Sequence, residues 1–149
     1  MRSGLVAASI AIVAASGCSL LTGAAPAWVT DRVPLESCGT EETERGLVDR
    51  TNPVRVCLLG AFRAGRGAEM ISTTTTMEGD PITSIVRVHP DGLVEVFIDN
   101  TRDRFGSGAW ERLECTALVS VPDANDPPNL VHADELVFVQ DSCEQVPAP

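Results

Sequence analysis

The sequence predicts an α+β fold, with one N-terminal helix packed on an antiparallel sheet of about five strands and the whole stapled by disulfides. Three observations predict it. Apolar residues recur at helical spacing once, between residues 54 and 62. Strand-type patterns fill five later segments. Four cysteines lie within the patterned region, at 38, 57, 115 and 143. One helix followed by sequential strands gives helices segregated to one face of an antiparallel sheet.

The helix comes first. Thr51 or Asn52 can cap it, Pro53 suits the first turn and Gly65 suits the end. Val54, Cys57, Leu58, Ala61 and Phe62 form one apolar stripe. Arg55, Leu59, Arg63 and Arg66 take the other side. Before the helix, Glu41, Glu42 and Glu44 read as a solvated acidic approach. Residues 70–77 contain four consecutive threonines, and a β-branched run suits a strand. In 82–89, Ile82, Ser84, Val86 and Val88 share one face, while Thr83, Ile85, Arg87 and His89 share the other. His89-Pro90-Asp91-Gly92 reads as a type I turn, because Pro90 fixes a negative φ. Residues 93–99 return with Val94, Val96 and Ile98 on one face. A charged loop covers 100–108, and strands are expected over 110–121 and 136–143. The folded unit is therefore placed at 38–145, with 146–149 as a frayed tail.

Four cysteines allow three pairings. If the last two strands form a hairpin with Cys115 opposite Cys143, Ala117 faces Asp141, Val119 faces Val139 and Val121 faces Val137. A one-residue slip would destroy that agreement of faces. Cys115–Cys143 is therefore preferred, which leaves Cys38–Cys57. Redox catalysis is disfavoured, because no Cys-x-x-Cys motif is present.

The chain opens with Met1-Arg2-Ser3, an eleven-residue run at 5–15 that is apolar except for Ser9, and Ala15-Ser16-Gly17-Cys18. The run has the length of a signal-peptide core and falls short of a membrane span. The tetrapeptide resembles the bacterial lipobox, whose usual first residue is Leu where this chain has Ala15. The resemblance implies removal of 1–17, a diacylglyceryl thioether on Cys18, and anchoring on the outer face of the cytoplasmic membrane. Five cysteines is an odd number, and giving Cys18 to lipid leaves an even set for an oxidising compartment. Residues 18–37 read as lipidated cysteine and tether, with Trp28 placed either at the headgroups or on the domain.

The net charge is −10, all eleven cations are arginine and tyrosine is absent. Such acidity excludes nucleic acid as a partner, since phosphate contacts need a basic footprint. Glu78, Asp80, Asp99 and Asp103 fall at one end of the expected hairpin, where converging carboxylates would suit Ca²⁺. The spacing is not that of an EF-hand, and Arg102 and Arg104 offer internal neutralisation instead. Arg55, Arg63 and Arg66 form a basic helix face suited to an anionic envelope polymer or lipid headgroups, or else to internal ion pairing with the many carboxylates; an envelope protein or polymer is the partner expected of the domain. The two histidines, His89 and His132, lie beside turn or loop residues without a nucleophile or zinc motif.

Thr76-Met77-Glu78-Gly79-Asp80-Pro81-Ile82 and Asp99-Asn100-Thr101-Arg102-Asp103-Arg104-Phe105-Gly106 resemble an uncharacterised domain of small bacterial lipoproteins. That resemblance spans about 53–115 and implies fold layout and export without an activity. The leading functional expectation is a membrane-anchored, non-enzymatic binding or accessory domain that needs no cofactor. The alternatives are a Ca²⁺-dependent binding module and a cell-envelope hydrolase with paired carboxylates.

Overall fold

The structure is a computed structural model and describes residues 24–44, 52–116, 118–120, 136–137 and 143–148. Expectations for residues 1–17, Cys18, Thr51, Ala117, Val121, His132, Val139 and Asp141 lie outside the described residues. The elements in chain order are α1 (Ala27–Thr30), β1 (Glu36–Glu44), α2 (Pro53–Arg63), β2 (Ala68–Thr75), β3 (Pro81–Val88), β4 (Val94–Asp99), β5 (Trp110–Cys115), β6 (Val119–Ser120), β7 (Leu136–Val137) and β8 (Cys143–Gln145).

The expected fold class needs correction. The main sheet has six strands in the order β1-β2-β3-β4-β5-β8, and it is mixed. β1 pairs parallel to β2, while the remaining pairs are antiparallel. β1, α2 and β2 therefore make a βαβ unit, because parallel neighbours need a crossover. Among the described residues there are two short helices rather than one. The physical reason lies in the composition of β1. It reads Glu-Ser-Cys-Gly-Thr-Glu-Glu-Thr-Glu, so it lacks the apolar alternation that marks a half-buried strand. Its inward side chains are polar: Glu41 and Thr43 are buried. Its outward acids, Glu42 and Glu44, charge a sheet edge, which discourages pairing with other chains.

α2 forms where the capping signals place it. Asn52 Oδ1 accepts from Val54 N at 3.0 Å and Pro53 opens the first turn. At the far end Gly65 takes φ +62°, Arg66 N donates to Ala61 O and Gly65 N to Phe62 O. This is the Schellman pattern of crossed terminal bonds. Leu58 and Ala61 are buried from the helix side against Ala68, Met70, Val86, Val88, Val94, Val96 and Cys115, with Val54, Leu59 and Phe62 packed around them.

The β3–β4 hairpin turns as expected: Gly92 N donates to His89 O at 3.0 Å, with Gly92 at φ +89°. The strand expected over 110–121 instead ends at Cys115, and β6 pairs with β7 in a separate two-stranded sheet. Val119 there pairs with Val137 rather than Val139. The displacement is two residues, an even slip that keeps the alternation of the strand.

The disulfides join Cys38 to Cys57 and Cys115 to Cys143. The first ties β1 to α2 across a register shift at Gly39, where φ is +109° and a Cβ would stand 3.4 Å from Val54 Cγ2. The second joins directly opposed residues of β5 and β8. Each closes a loop whose entropy is worth roughly 3 kcal/mol to the folded state in the chain-entropy account.

The domain boundary also moves. Residues 24–35, expected as tether, cross the second face of the sheet. Val29 is completely buried beside Ile85 and Phe97, with Ala25, Trp28, Ile71 and Trp110 around them. At the other end Val146, expected in the tail, donates to Arg112 O at 3.0 Å. The sheet is thus covered on both faces, by α2 and by the N-terminal segment.

One ion pair holds β1 to α2. Arg55 Nε donates to Glu41 Oε1 and Oε2 at 2.8 and 2.9 Å, a second nitrogen also reaches Oε1, and Ser72 Oγ donates at 2.8 Å. The Glu41 side chain is 1% exposed. Removing one partner of a buried pair strands the other charge, at about 3–5 kcal/mol. Arg55→Ala is expected to lose that much stability in urea denaturation, and Glu41→Leu combined with Arg55→Met to recover most of it. A single-variant loss below about 1 kcal/mol would show that the pair carries little.

Candidate functional site

The second face of the sheet carries the densest charge chemistry among the described residues. Register sets it up. Glu69 on β2 faces Arg87 on β3, Arg87 faces Glu95 on β4, and Glu95 faces Glu114 on β5. Arg112, two residues from Glu114, lies on the same face. Arg32 of the N-terminal segment reaches in from above.

The contacts form an alternating chain of three arginines and three glutamates. Arg32 donates to Glu69 Oε1 at 3.1 Å, and Arg87 Nε to Glu69 Oε2 at 3.1 Å. Another Arg87 nitrogen donates to Glu95 Oε2 at 2.7 Å. Arg112 Nε donates to Glu95 Oε1 at 2.9 Å, and its terminal nitrogen to Glu114 Oε1 at 2.7 Å. The last Arg87 nitrogen donates to the Val33 carbonyl, so the network grips the N-terminal segment directly. Arg87 and Glu95 are buried, and a buried charge of either kind is tolerable only with such pairing.

Beside the network lies a cleft of about 460 Å³. Trp28, Val33, Leu35 and Phe97 supply apolar wall, and Arg32, Arg87, His89, Glu95 and Arg112 supply polar wall. Trp28 stands 5.5 Å from Phe97 and edge-on to Trp110 at 6.5 Å between ring centroids. The Arg87 guanidinium carbon lies 5.9 Å from the Phe97 centroid, within cation–π range. His89 Nε2 lies 3.4 Å from Glu95 Oε2 without hydrogen-bond alignment, and it has no other partner. A polar group entering the cleft would meet Arg112, since His89 Nε2 is itself buried. The cleft's guanidinium charge is already balanced by glutamate.

The sequence-proposed residues fall elsewhere. Arg55 is held by Glu41 on the α2 side. Arg66 pairs with Glu36 at the surface, and Arg63 is exposed. The basic helix face is therefore partly spent on internal pairs. Asp80 receives both Arg104 Nε bonds, at 3.0 and 2.9 Å, while Arg104 also donates to the Glu78 carbonyl at 3.0 Å. Asp99 is buried and accepts from Thr101 N and Oγ1 at 3.0 and 2.6 Å. Asp103 accepts from Phe105 N at 3.0 Å. These four share one end of the sheet but serve the loops that hold them. Among the described residues no group of three or more His, Cys, Asp or Glu is placed to hold a metal ion. No described helix is long and apolar enough to cross a membrane.

The network residues were missed at the sequence level, although a signal existed. The His89-Pro90-Asp91-Gly92 turn places Arg87 opposite Glu95, and opposite charges facing each other in a hairpin form a cross-strand pair. Glu69, Arg112 and Arg32 had no such local marker.

No family model, curated protein or solved structure matches this chain.

Glu95 is the hub of the network. Glu95→Ala is expected to cost about 1.5–3 kcal/mol by leaving Arg87 with Glu69 alone and Arg112 with Glu114 alone, and to loosen the N-terminal segment so that tryptophan emission shifts to the red. Arg66→Ala, at an exposed pair, should cost no more than about 1 kcal/mol. Equal losses in urea denaturation would contradict this account.

Hydrogen bonding from the Arg104 guanidinium holds the Asp80 carboxyl below its ordinary value of 3.8, and Asp80 in turn raises Arg104. A folded value below the unfolded one gives stability that is present above the unfolded pKa and disappears as pH falls through the folded pKa. Asp80→Asn should therefore lower the melting temperature near neutrality and have no effect well below 3.8. A melting difference that persists unchanged into acid would refute the assignment.

Proposed function

We propose that this chain is an exported bacterial lipoprotein, anchored through acyl chains on Cys18 to the outer face of the cytoplasmic membrane. Its domain is a non-enzymatic binding or accessory module, with an envelope protein or polymer as partner. The observation that carries this reading is the use of the cysteines. All four that follow Cys18 are consumed in two disulfides. That chemistry belongs to an oxidising compartment and leaves one cysteine over. The one left over stands in Ala15-Ser16-Gly17-Cys18, after a signal-like apolar run. The motif resemblance to small-lipoprotein domains belongs to the same proposal.

The non-catalytic part is supported by the state of the charged groups. The buried carboxylates are each engaged in hydrogen bonds, Glu41 and Glu95 from arginine and Asp99 from Thr101. Among the described residues lining its cleft, His89 has Glu95 and arginines beside it and no serine, threonine or cysteine.

Fractionation tests the anchor. The wild-type chain is expected in the membrane fraction, beginning at Cys18 with the mass of a diacylglyceryl thioether. Cys18→Ser should appear in the soluble extracytoplasmic fraction. An unmodified Cys18 on a membrane-bound chain would overturn the proposal.

A further inference from the structure

Among the described residues four large apolar side chains are exposed: Val33, Val56, Met77 and Phe105. Val33 and Val56 stand on separate segments. Met77 and Phe105, at 76% and 78% exposure, crown two neighbouring loops, 76–80 and 100–109, at one end of the sheet. Arg104 clasps those loops together through Asp80 and the Glu78 carbonyl. Each loop is also braced from within. Gly79 N donates to Thr76 O, and Phe105 N to Asp103 Oδ1. The two apolar side chains are therefore presented on a preformed tip, at little further entropic cost.

The course of the N-terminal segment gives this tip an occupant. Trp28 packs beside Trp110, at the start of β5 and so at the tip end of the sheet. Arg32 then reaches Glu69 and the Val33 carbonyl meets Arg87, four residues further along the strands from the Trp110 row. Leu35 finally lies against Gly67, at the opposite end. Followed backwards, the chain runs towards the tip end, and its first described contacts, Ala25 and Trp28, lie with Ile85, Phe97 and Trp110. Seven residue steps lead from Ala25 back to Cys18, and even fully extended they reach no more than about 25 Å. An eight-residue strand such as β2 is itself about 26 Å long, so the tether favours the near end of the sheet over the far one.

The geometry points to the Met77–Phe105 tip as a second membrane contact, inserted at the headgroup–acyl boundary of the bilayer that holds Cys18. This rests on the lipid-anchor reading above. Apolar side chains at that depth gain by leaving water, and the anchor supplies the effective concentration that two side chains alone would lack. Glu78, Asp80 and Asp103 share the tip with Arg102 and Arg104, and Arg104 is already paired with Asp80, so the contact is apolar rather than electrostatic. Its consequence is orientation: the sheet stands on its tip, with the His89 turn and the C-terminal end of α2 pointing away from the bilayer.

The test uses the full lipidated protein in vesicles of phosphatidylethanolamine and phosphatidylglycerol, with and without lipid brominated high on the acyl chain. Phe105→Trp adds a reporter at the tip. Arg63→Trp adds one at the opposite end, where α2 finishes beside the far turn. After subtraction of wild-type emission, quenching at position 105 is expected to exceed that at 63 by at least about threefold, the contrast of an interfacial side chain against one in water. Comparable quenching at both positions overturns the proposal, as does its absence at 105 when the thioether mass on Cys18 is present. In that second case, a reporter at position 105 that is also shielded from aqueous acrylamide would mean that a protein covers the tip. An unmodified Cys18 overturns the contact together with the anchor it rests on.

Discussion

The buried Glu95 carboxylate, shared between Arg87 and Arg112, is the contact on which the second face of this protein depends. It closes a charge chain that runs across β2, β3, β4 and β5 and extends to Arg32 in the N-terminal segment. Without it, Arg87 would be a buried cation whose desolvation no neighbour fully offsets. With it, Arg87 is free to donate its last nitrogen to the Val33 carbonyl. An acidic chain of 149 residues thus covers the second face of its sheet with a short segment, 24–35, that is held by apolar burial and ion pairing together. Val29 and Trp28 fill the space over Ile85 and Phe97, and ion pairs fix the remainder.

The α2 face uses the same device on a smaller scale. Glu41, Arg55 and Ser72 form a compact polar knot between β1 and α2, close to the Cys38–Cys57 bridge. Covalent and ionic ties converge on the βαβ crossover because β1 brings so little apolar surface to it. A strand of serine, threonine and glutamate cannot be held by burial alone. Its register is fixed by specific partners instead, such as Thr43 and Thr74, whose hydroxyls meet at 2.8 Å. Polar contacts therefore fix the register of β1 and the seat of the N-terminal segment, while Leu58, Ala61 and Val29 bury apolar surface on the aliphatic residues of the sheet.

The N-terminal segment is part of the folded unit from Ala25 onward. Val29 is its fully buried residue, and Trp28 packs beside it against Phe97. The cleft lined by Trp28, His89 and Arg112 is therefore built jointly by the sheet and this segment, with Trp28 as the wall the segment supplies.

The amino-acid sequence by itself determined the elements whose physics is local. Pro53, Gly65 and the 54–62 stripe specified α2. The His89-Pro90-Asp91-Gly92 turn and the alternating valines specified the central hairpin. The face-matched register around Cys115 and Cys143 identified a cysteine pair that the structure joins. Tertiary structure alone decided the rest. β1 is a strand because Arg55, Ser72 and a disulfide meet it, not because its own residues favour burial. Residues 24–35 fold because the sheet offers them Phe97, Trp110 and a row of buried charges. Asp80, Asp99 and Asp103 became loop braces because arginine and backbone donors reached them first. In each case the deciding energy lies in partners distant along the chain, and no window of sequence contains both sides of such a contact.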